Sequence, residues 1–166
     1  MFKKLGQKLK DQRGLTLIEL LAVVVILGII AAIAVPSIGG LIDNSKKDAH
    51  VANATQMINS GKIAVTSNEN IHPSSGKSTY VSLGYLEAQG YLETLKDPDG
   101  DTTEANGYKR GTVAQTDFKS EINDKTSFVK ITNTNGKFTY DVQLYGKERN
   151  IPISATDINR AAVTKN

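Results

Sequence analysis

The feature that most limits how this chain can fold is an uninterrupted apolar run from Leu20 to Val35. The run has sixteen residues without a charged side chain, and Glu19 stands immediately before it. A helix that is apolar on all sides needs an apolar environment, because it has no polar face to turn towards water. With its flanking residues the run reaches the roughly 20 residues that span a bilayer. The sequence therefore predicts a membrane-spanning helix with one unexplained carboxylate at its head.

The positive charge of the chain is concentrated ahead of this run. The 166 residues carry a formal net charge of +3, but residues 1–14 alone contain four lysines and one arginine against one aspartate, which leaves −1 for the remainder. A basic segment before an apolar run is expected to stay in the cytoplasm beside anionic lipid. The basicity therefore gives no indication of nucleic-acid binding. The absence of cysteine excludes disulfides and Cys-based zinc sites.

The helical pattern continues beyond Pro36, and the amino terminus has two interpretations. Apolar and small side chains recur on one helical face in residues 45–66, namely at Val51, Ala54, Met57, Ile58, Gly61, Ala64 and Val65. The run and this stretch together predict one rod of about fifty residues, or about 75 Å. The alternative is a secretory signal peptide cleaved after Ala34, which would release a secreted ligand-binding domain. That cleavage would cut the rod in half.

The residues around Glu19 carry a resemblance to a known family. The sequence Gly14-Leu15-Thr16-Leu17-Ile18-Glu19, after a basic leader and before a long apolar helix, resembles the amino terminus of type IV pilins and pseudopilins. The resemblance implies that a prepilin peptidase cuts after Gly14 and methylates the new amine of Leu15. It also implies that Glu19 and Thr16 are assembly residues.

In this interpretation, elementary chemistry explains Glu19 as the anion that pairs with the new amine. The amine of Leu15 would be cationic, and a cation in an apolar environment needs an anion. Glu19 lies one helical turn away, so it can pair with its own amine or, as the family implies, with the amine of a neighbouring subunit. The resemblance further implies that Gly28 and Pro36 bound a segment that kinks or loses helical structure in the filament, and proline removes a helical hydrogen bond in any case.

The function implied by the resemblance is that of a structural subunit. The chain is expected to be a single-pass precursor in the cytoplasmic membrane and then part of an extracellular type IV pilus that serves adhesion, motility or DNA uptake. A pseudopilin of a type II secretion or competence machine is the alternative. The implied partners are further copies of the chain, the prepilin peptidase, the inner-membrane assembly platform with its ATPase, and the lipid bilayer before assembly.

The predicted organisation has four parts. Residues 1–14 form the removed leader, 15–36 the transmembrane and filament-core helix, 37–66 its amphipathic continuation and 67–166 a globular head. The expected fold class is α+β, with a long kinked helix packed on a small antiparallel sheet, as in pilins.

Turn residues and the alternation of apolar and polar residues predict the helices and strands of the head. A short helix is predicted from Leu83 to Leu92, ending near Gly90, and the segment from Gly90 to Gly100 is similar to a pattern of pseudopilins and Gram-positive pilins. Two alternating segments predict a hairpin around Asn133–Gly136. These predicted elements are strands at Ser127–Thr132 and Lys137–Tyr145, a third strand near Gly107–Ala114, and a short tail helix from about Thr156.

Few residues of the head suggest chemistry, and we expect no enzyme. The sequence Gly76-Lys77-Ser78-Thr79 imitates part of a phosphate-binding loop but lacks its first glycine and its preceding strand. His50 and His72 are expected to be solvated surface residues. Asp97, Asp99 and Asp101 alternate and are a candidate calcium site, although a solvated acidic turn is the simpler interpretation. No other cofactor is expected.

Overall fold

The first element among the described residues is a single long helix. The computed structural model describes residues 16–154 and 157–166, and the chain divides into two compact units, Met1–Ile42 and Asp43–Asn166. Helix α1 (Leu17–Ser67) has 51 residues and runs through Pro36 without interruption. It contains an 18-residue window of mean hydropathy 3.0, none of it buried. Helix α1 is therefore long and apolar enough to cross a membrane.

The carboxyl-terminal part of α1 packs on the head. Ala54, Met57, Gly61 and Ala64 are buried on the face that the sequence predicted, together with Val65. A Cβ built on Gly61 would lie 3.0 Å from Cγ1 of Val129, so the glycine lets the helix approach the sheet closely. Ser60 is also buried, and it donates to the carbonyl of Gln56 at 3.0 Å, which satisfies its hydroxyl on an otherwise apolar face.

The chain enters the head through short elements. A 3₁₀ helix (Glu69–Ile71) is capped by Asn68, whose side chain accepts from the amide of Asn70. Strand β1 (Ser78–Ser82) follows, and Ser82 then caps helix α2 (Leu83–Ala88). Gly90 has φ +72°, the left-handed conformation that commonly ends a helix. The predicted short helix and its end near Gly90 are confirmed.

The remaining strands form one antiparallel sheet in chain order. They are β2 (Phe128–Thr134), β3 (Lys137–Tyr145), β4 (Arg149–Ile151) and β5 (Thr164–Lys165). The order of the sheet is β1-β2-β3-β4-β5, and every neighbouring pair is antiparallel. The predicted hairpin is confirmed, because Asn135 and Gly136 form its two-residue turn with φ of 53° and 85°. The α+β architecture, a long helix packed on an antiparallel sheet, is confirmed and is pilin-like.

One predicted element is wrong, and another is observed only in part. Residues 107–114 form no strand; this segment makes isolated backbone hydrogen bonds, such as Lys109 N–H to Tyr145 and Gly84 N–H to Arg110, and Gly111 turns it at φ +70°. The third strand is β1 instead. In the tail, Thr156 lies outside the described residues, a 3₁₀ helix spans Arg160–Ala162, and β5 then pairs with β4.

Candidate functional site

The start of α1 is built around Thr16 and Glu19. Glu19 Oε2 accepts from both the amide and the hydroxyl of Thr16, each at 2.8 Å, and the Glu19 amide donates to Thr16 Oγ1 at 3.3 Å. This reciprocal pair is a capping box, which satisfies amide groups that the first turn of a helix leaves without partners. Glu19 is therefore fixed at the amino end of the helix, where the helix dipole also favours a negative charge.

The predicted processing residues adjoin this capping box. Gly14 and Leu15 lie outside the described residues, so their geometry and their pairing with Glu19 remain predictions. The capping box holds the Glu19 carboxylate on the amide of Thr16, which is the residue after the predicted new amino terminus. Sequence reasoning gave Thr16 only an assembly role, although Thr-x-x-Glu before an apolar run is itself a helix-start signal.

The apolar segment presents its side chains outward. The large hydrophobic residues from Leu17 to Ile42 are exposed, between 47% for Val23 and 84% for Leu17. Gly28 and Pro36 both lie inside α1, and a Cβ built on Gly28 would meet nothing within 4 Å. The predicted kink or melting between these two residues stays a prediction.

A second cluster lies in the head, where a solvated turn was expected. Asp97 is fully buried, and its carboxylate accepts from the amides of Asp99 and Lys147 at 2.9 and 2.7 Å. The side chain of Asp99 has no solvent exposure. Asp101 does not join them: its Oδ1 accepts from the amide and hydroxyl of Thr103. The prediction of a solvated acidic turn is therefore wrong for Asp97 and Asp99.

His50 reaches this cluster from α1, and its predicted surface position is wrong. It is 1% exposed, with Nε2 at 3.1 Å from Asp99 Oδ2 and Nδ1 at 2.8 Å from the Tyr108 hydroxyl. Asn53 donates to the same hydroxyl at 3.0 Å. Burial raises the pKa of Tyr108, so its phenol stays neutral and can donate to Nδ1 while Nε2–H donates to Asp99. His72, in contrast, is exposed as predicted.

Two cations neutralise Asp99. Arg149 forms ion pairs with both Asp99 and Asp43, and Lys46 Nζ lies 3.0 Å from Asp99 Oδ1. Burial alone would raise the pKa of Asp99, but hydrogen bonds from Arg149, His50 and Lys46 outweigh it and lower the pKa from 3.8 to about 2. Asp99 is therefore ionised at every pH at which the head is expected to work.

The cluster has donor atoms of the kinds that bind metals, but they already have partners. Ligand atoms of His50, Asp97 and Asp99 lie within 4.8 Å of one another. Both carboxylates accept hydrogen bonds from the protein, and Arg149 and Lys46 place positive charge where a cation would sit. This geometry favours a structural anchor over a metal centre. The calcium hypothesis for Asp97, Asp99 and Asp101 stays a prediction.

Sequence reasoning missed His50 and Arg149 as members of this cluster. A signal existed for His50, because it precedes Ala54, Met57 and Gly61 at helical spacing and so shares the buried face of α1. The sequence contains no such signal for Arg149, since its partner Asp43 is 106 residues away in the chain.

Comparison with known proteins identifies the amino-terminal segment. Residues 9–35 match the family model described as the prokaryotic N-terminal methylation motif. A search of curated proteins and a search of solved structures found no match. The matched segment contains Gly14, Leu15, Thr16, Glu19 and Gly28 and ends one residue before Pro36. The chain therefore carries the amino-terminal methylation motif of type IV pilins and pseudopilins, the motif of a precursor that is processed by a prepilin peptidase, on a pilin-like α+β fold.

Proposed function

We propose that this chain is the precursor of a structural subunit of a type IV pilus. The precursor is inserted in the cytoplasmic membrane, is cleaved after Gly14, is methylated at Leu15 and then assembles into a helical filament on the cell surface for adhesion, motility or DNA uptake. The observation that carries the proposal is the methylation motif at residues 9–35, continuous with an apolar helix whose most hydrophobic window is entirely unburied. In this role the chain is a building block and not an enzyme.

The length and composition of the apolar segment suit two successive environments, namely the bilayer before assembly and contact with other copies of the chain afterwards. Residues 15–36 would extend about 33 Å as a helix, close to the roughly 30 Å hydrocarbon thickness of a bilayer. Gly28 lies in open space, and a helical glycine costs about 1 kcal/mol relative to alanine. Small residues of this kind let apolar helices approach closely. Contact with other copies of the chain would explain a glycine that the isolated subunit does not need.

Glu19 supports assembly in a defined register. In the unprocessed chain its carboxylate caps its own helix through Thr16. After cleavage, the cationic amine of Leu15 becomes a stronger partner than a neutral amide, because charge-assisted hydrogen bonds are roughly twice as strong as neutral ones. If the amine comes from a neighbouring subunit, this pairing fixes the axial position of one subunit on the next.

A pseudopilin of a type II secretion or competence machine is the second candidate, since the methylation motif is common to both. The two differ in product: a pilus subunit enters long surface filaments that shearing releases, whereas a pseudopilin stays with the cell envelope. The assembly platform and its ATPase are proposed partners in either case.

The mature amino terminus tests the proposal. Mass spectrometry of the protein from cells that contain a prepilin peptidase should show a chain that begins at N-methyl-Leu15. Gly14→Val should accumulate as an uncleaved precursor, whereas the matched change Gly6→Val in the same leader should be processed normally. A chain that begins at Val35 would show a signal peptide cleaved after Ala34 and would overturn the proposal. Intact chain in sheared fractions then favours the pilus over the pseudopilin.

A further inference from the structure

Strand β3 has an open edge over the part that follows the hairpin turn. On one side, β2 pairs with β3 from Lys137 to Gln143, whereas on the other side β4 pairs only with Leu144 and Tyr145. A strand edge without a neighbour presents N–H and C=O groups that can pair with another strand. The open edge, Lys137–Asp141, is therefore a place where a further strand can add to the sheet.

The backbone groups of Phe138 and Tyr140 point to the open edge. Along an antiparallel strand, successive residues direct their N–H and C=O groups to opposite sides. Asn133 lies opposite Phe138 in β2, but its carbonyl accepts from the amide of Gly76 and its amide donates to the carbonyl of Lys77, on the β1 side. Phe138 and Tyr140 therefore face away from β2, and their N–H and C=O groups have no hydrogen-bond partner in the described part of the chain.

The side chains along the open edge carry one charge of each sign. Lys137, Thr139 and Asp141 alternate on one face of the sheet, and all three are exposed. Within the residues that the structure describes, Lys137 and Asp141 form no ion pair. Lys130 lies opposite Asp141 in β2, but its ammonium group lies over the Tyr80 ring, 5.9 Å from the centroid. Both charges of the open edge are therefore available to a partner.

We propose that the open edge binds the open edge of a second copy of the chain, antiparallel and around a two-fold axis at Thr139. In this register Phe138 of each copy lies opposite Tyr140 of the other, and each such pair exchanges both of its N–H···O bonds. Lys137 of each copy lies opposite Asp141 of the other. A shift of two residues in either direction would separate these opposite charges, so that charge selects the register.

A second copy is the partner because the open edge is complementary to itself. A strand of another sequence would need an acid opposite Lys137 and a base opposite Asp141, whereas a second copy supplies both by symmetry. Lysine at a sheet edge usually discourages pairing with other strands, and here only this register compensates its charge. A contact that uses the same surface on both copies closes after two. It joins two heads without extending a filament and does not rest on the proposed function.

The pairing is expected to be weak between isolated heads. Stable protein–protein interfaces bury about 1,200–2,000 Å² in total, which is more than so short a strand pair can bury. Many such contacts in parallel would act together, because each contact raises the effective concentration for the next. The open edge is therefore suited to holding neighbouring filaments together, and a single contact is best detected by covalent trapping.

A disulfide can trap the contact, since the chain has no cysteine of its own. Thr139→Cys places one thiol of each copy at the two-fold axis. Directly opposite Cα atoms of a non-hydrogen-bonded pair are about 4.5 Å apart, a distance that a disulfide can bridge. Thr164→Cys is the matched control, because Thr164 is an exposed threonine on β5, at the end of the sheet. Both full-length variants are oxidised mildly in detergent micelles, and the control measures random collisions within a micelle.

We expect Thr139→Cys to form at least fivefold more disulfide dimer than Thr164→Cys. Adding Asp141→Lys should lower the dimer yield of Thr139→Cys at least fivefold, because it places a second positive charge opposite Lys137. Adding Lys137→Asp to that variant should restore the yield to within twofold. Circular dichroism should show unchanged folding, since the altered side chains are exposed.

Three results would overturn the proposal. The first is equal cross-linking of Thr139→Cys and Thr164→Cys, which would show that the open edge stays solvated. The second is a dimer yield that Asp141→Lys does not lower or that the exchange of both charges does not restore. The third comes from cells that produce Thr139→Cys, if mass spectrometry identifies another protein, instead of a second copy, in the species cross-linked through position 139.

Discussion

The buried carboxylate of Asp99 should make a large, pH-dependent contribution to the stability of the head. The change Asp99→Asn keeps the shape of the side chain and removes its charge, which leaves Lys46 without its anion, His50 with Asp97 at 3.7 Å and Arg149 with Asp43. Removing one partner of a buried ion pair costs about 3–5 kcal/mol when the other is left uncompensated. Because Asp43 remains for Arg149, we expect a smaller loss here.

The lowered pKa of Asp99 gives the magnitude. A change from the ordinary value of 3.8 to about 2 corresponds to about 2.4 kcal/mol, at about 1.36 kcal/mol for each pKa unit. Since the pKa is lower in the folded state, this stabilisation is fully present above about pH 4 and is lost as the pH falls towards 2. We expect Asp99→Asn to lower the free energy of unfolding by about 2–3 kcal/mol at pH 7, and the deficit to shrink between pH 4 and pH 2.

Urea unfolding of the full chain in detergent micelles, followed by the near-ultraviolet circular dichroism of the tyrosines, measures this difference at pH 7, 4, 3 and 2. Asp124→Asn is the matched control, because Asp124 is exposed and its side chain has no ion pair in the described part of the chain. A deficit at pH 7 below about 0.5 kcal/mol, or one that is equally large at pH 2, would refute the assignment of Asp99 as the ionised centre of the cluster.

Four further results are expected. Glu19→Gln should leave membrane insertion intact but lower the yield of sheared filament, and a normal yield would exclude Glu19 as an assembly contact. Gly61→Val should lower the stability of the head by about 1–3 kcal/mol in thermal unfolding, because Val129 already lies against the glycine. The melting temperature of the head in the unaltered protein should be equal in EGTA and in millimolar Ca²⁺. A higher melting temperature in Ca²⁺ would support a calcium site at Asp97–Asp101. Pro36→Ala should restore a helical hydrogen bond and give fewer or stiffer filaments, and unchanged filament yield and extensibility would count against a role for the proline.

The elements that sequence reasoning placed correctly are those fixed by short-range rules. The buried face of α1 follows from helical periodicity, the end of α2 from Gly90, and the β2–β3 hairpin from Asn135-Gly136. Each of these signals is complete within about twenty residues of chain, so no knowledge of tertiary packing was needed.

The missed elements depend on distant partners. Strand β1 has only five residues, and it is fixed by pairing with β2, about fifty residues later in the chain. The segment 107–114 has apolar residues suited to a strand, but Gly107 is confined by the carbonyls of Asp101 and Thr103, at 2.3 and 2.7 Å from an ideal Cβ. Such close backbone approaches depend on tertiary packing, and the alternation of apolar and polar residues along the sequence does not predict them.

The same limit applies to the buried cluster. The sequence offers Asp97, Asp99 and Asp101 as a candidate calcium site, because alternating aspartates in a turn are typical of calcium loops, with a solvated acidic turn as the simpler interpretation. The structure supplies Arg149 and Lys46 from elsewhere in the chain. Charge compensation of a buried acid is required in either case, and only the fold decides whether the cation belongs to the protein.

The glycines show where the chain needs neighbours that it does not itself contain. Every described glycine from Gly61 onward either has a positive φ or would place an ideal Cβ within 3.4 Å of another residue, and the shortest of these distances are at Gly100, Gly107, Gly111 and Gly146. Gly28, Gly39 and Gly40 have neither property, although all three lie in α1. In a helix each costs about 1 kcal/mol relative to alanine, and the isolated chain gains nothing in return. All three fall in the segment whose large hydrophobic side chains are exposed. Glycines that weaken an apolar helix without benefit to the monomer are explained if other helices pack against it, as in a filament core.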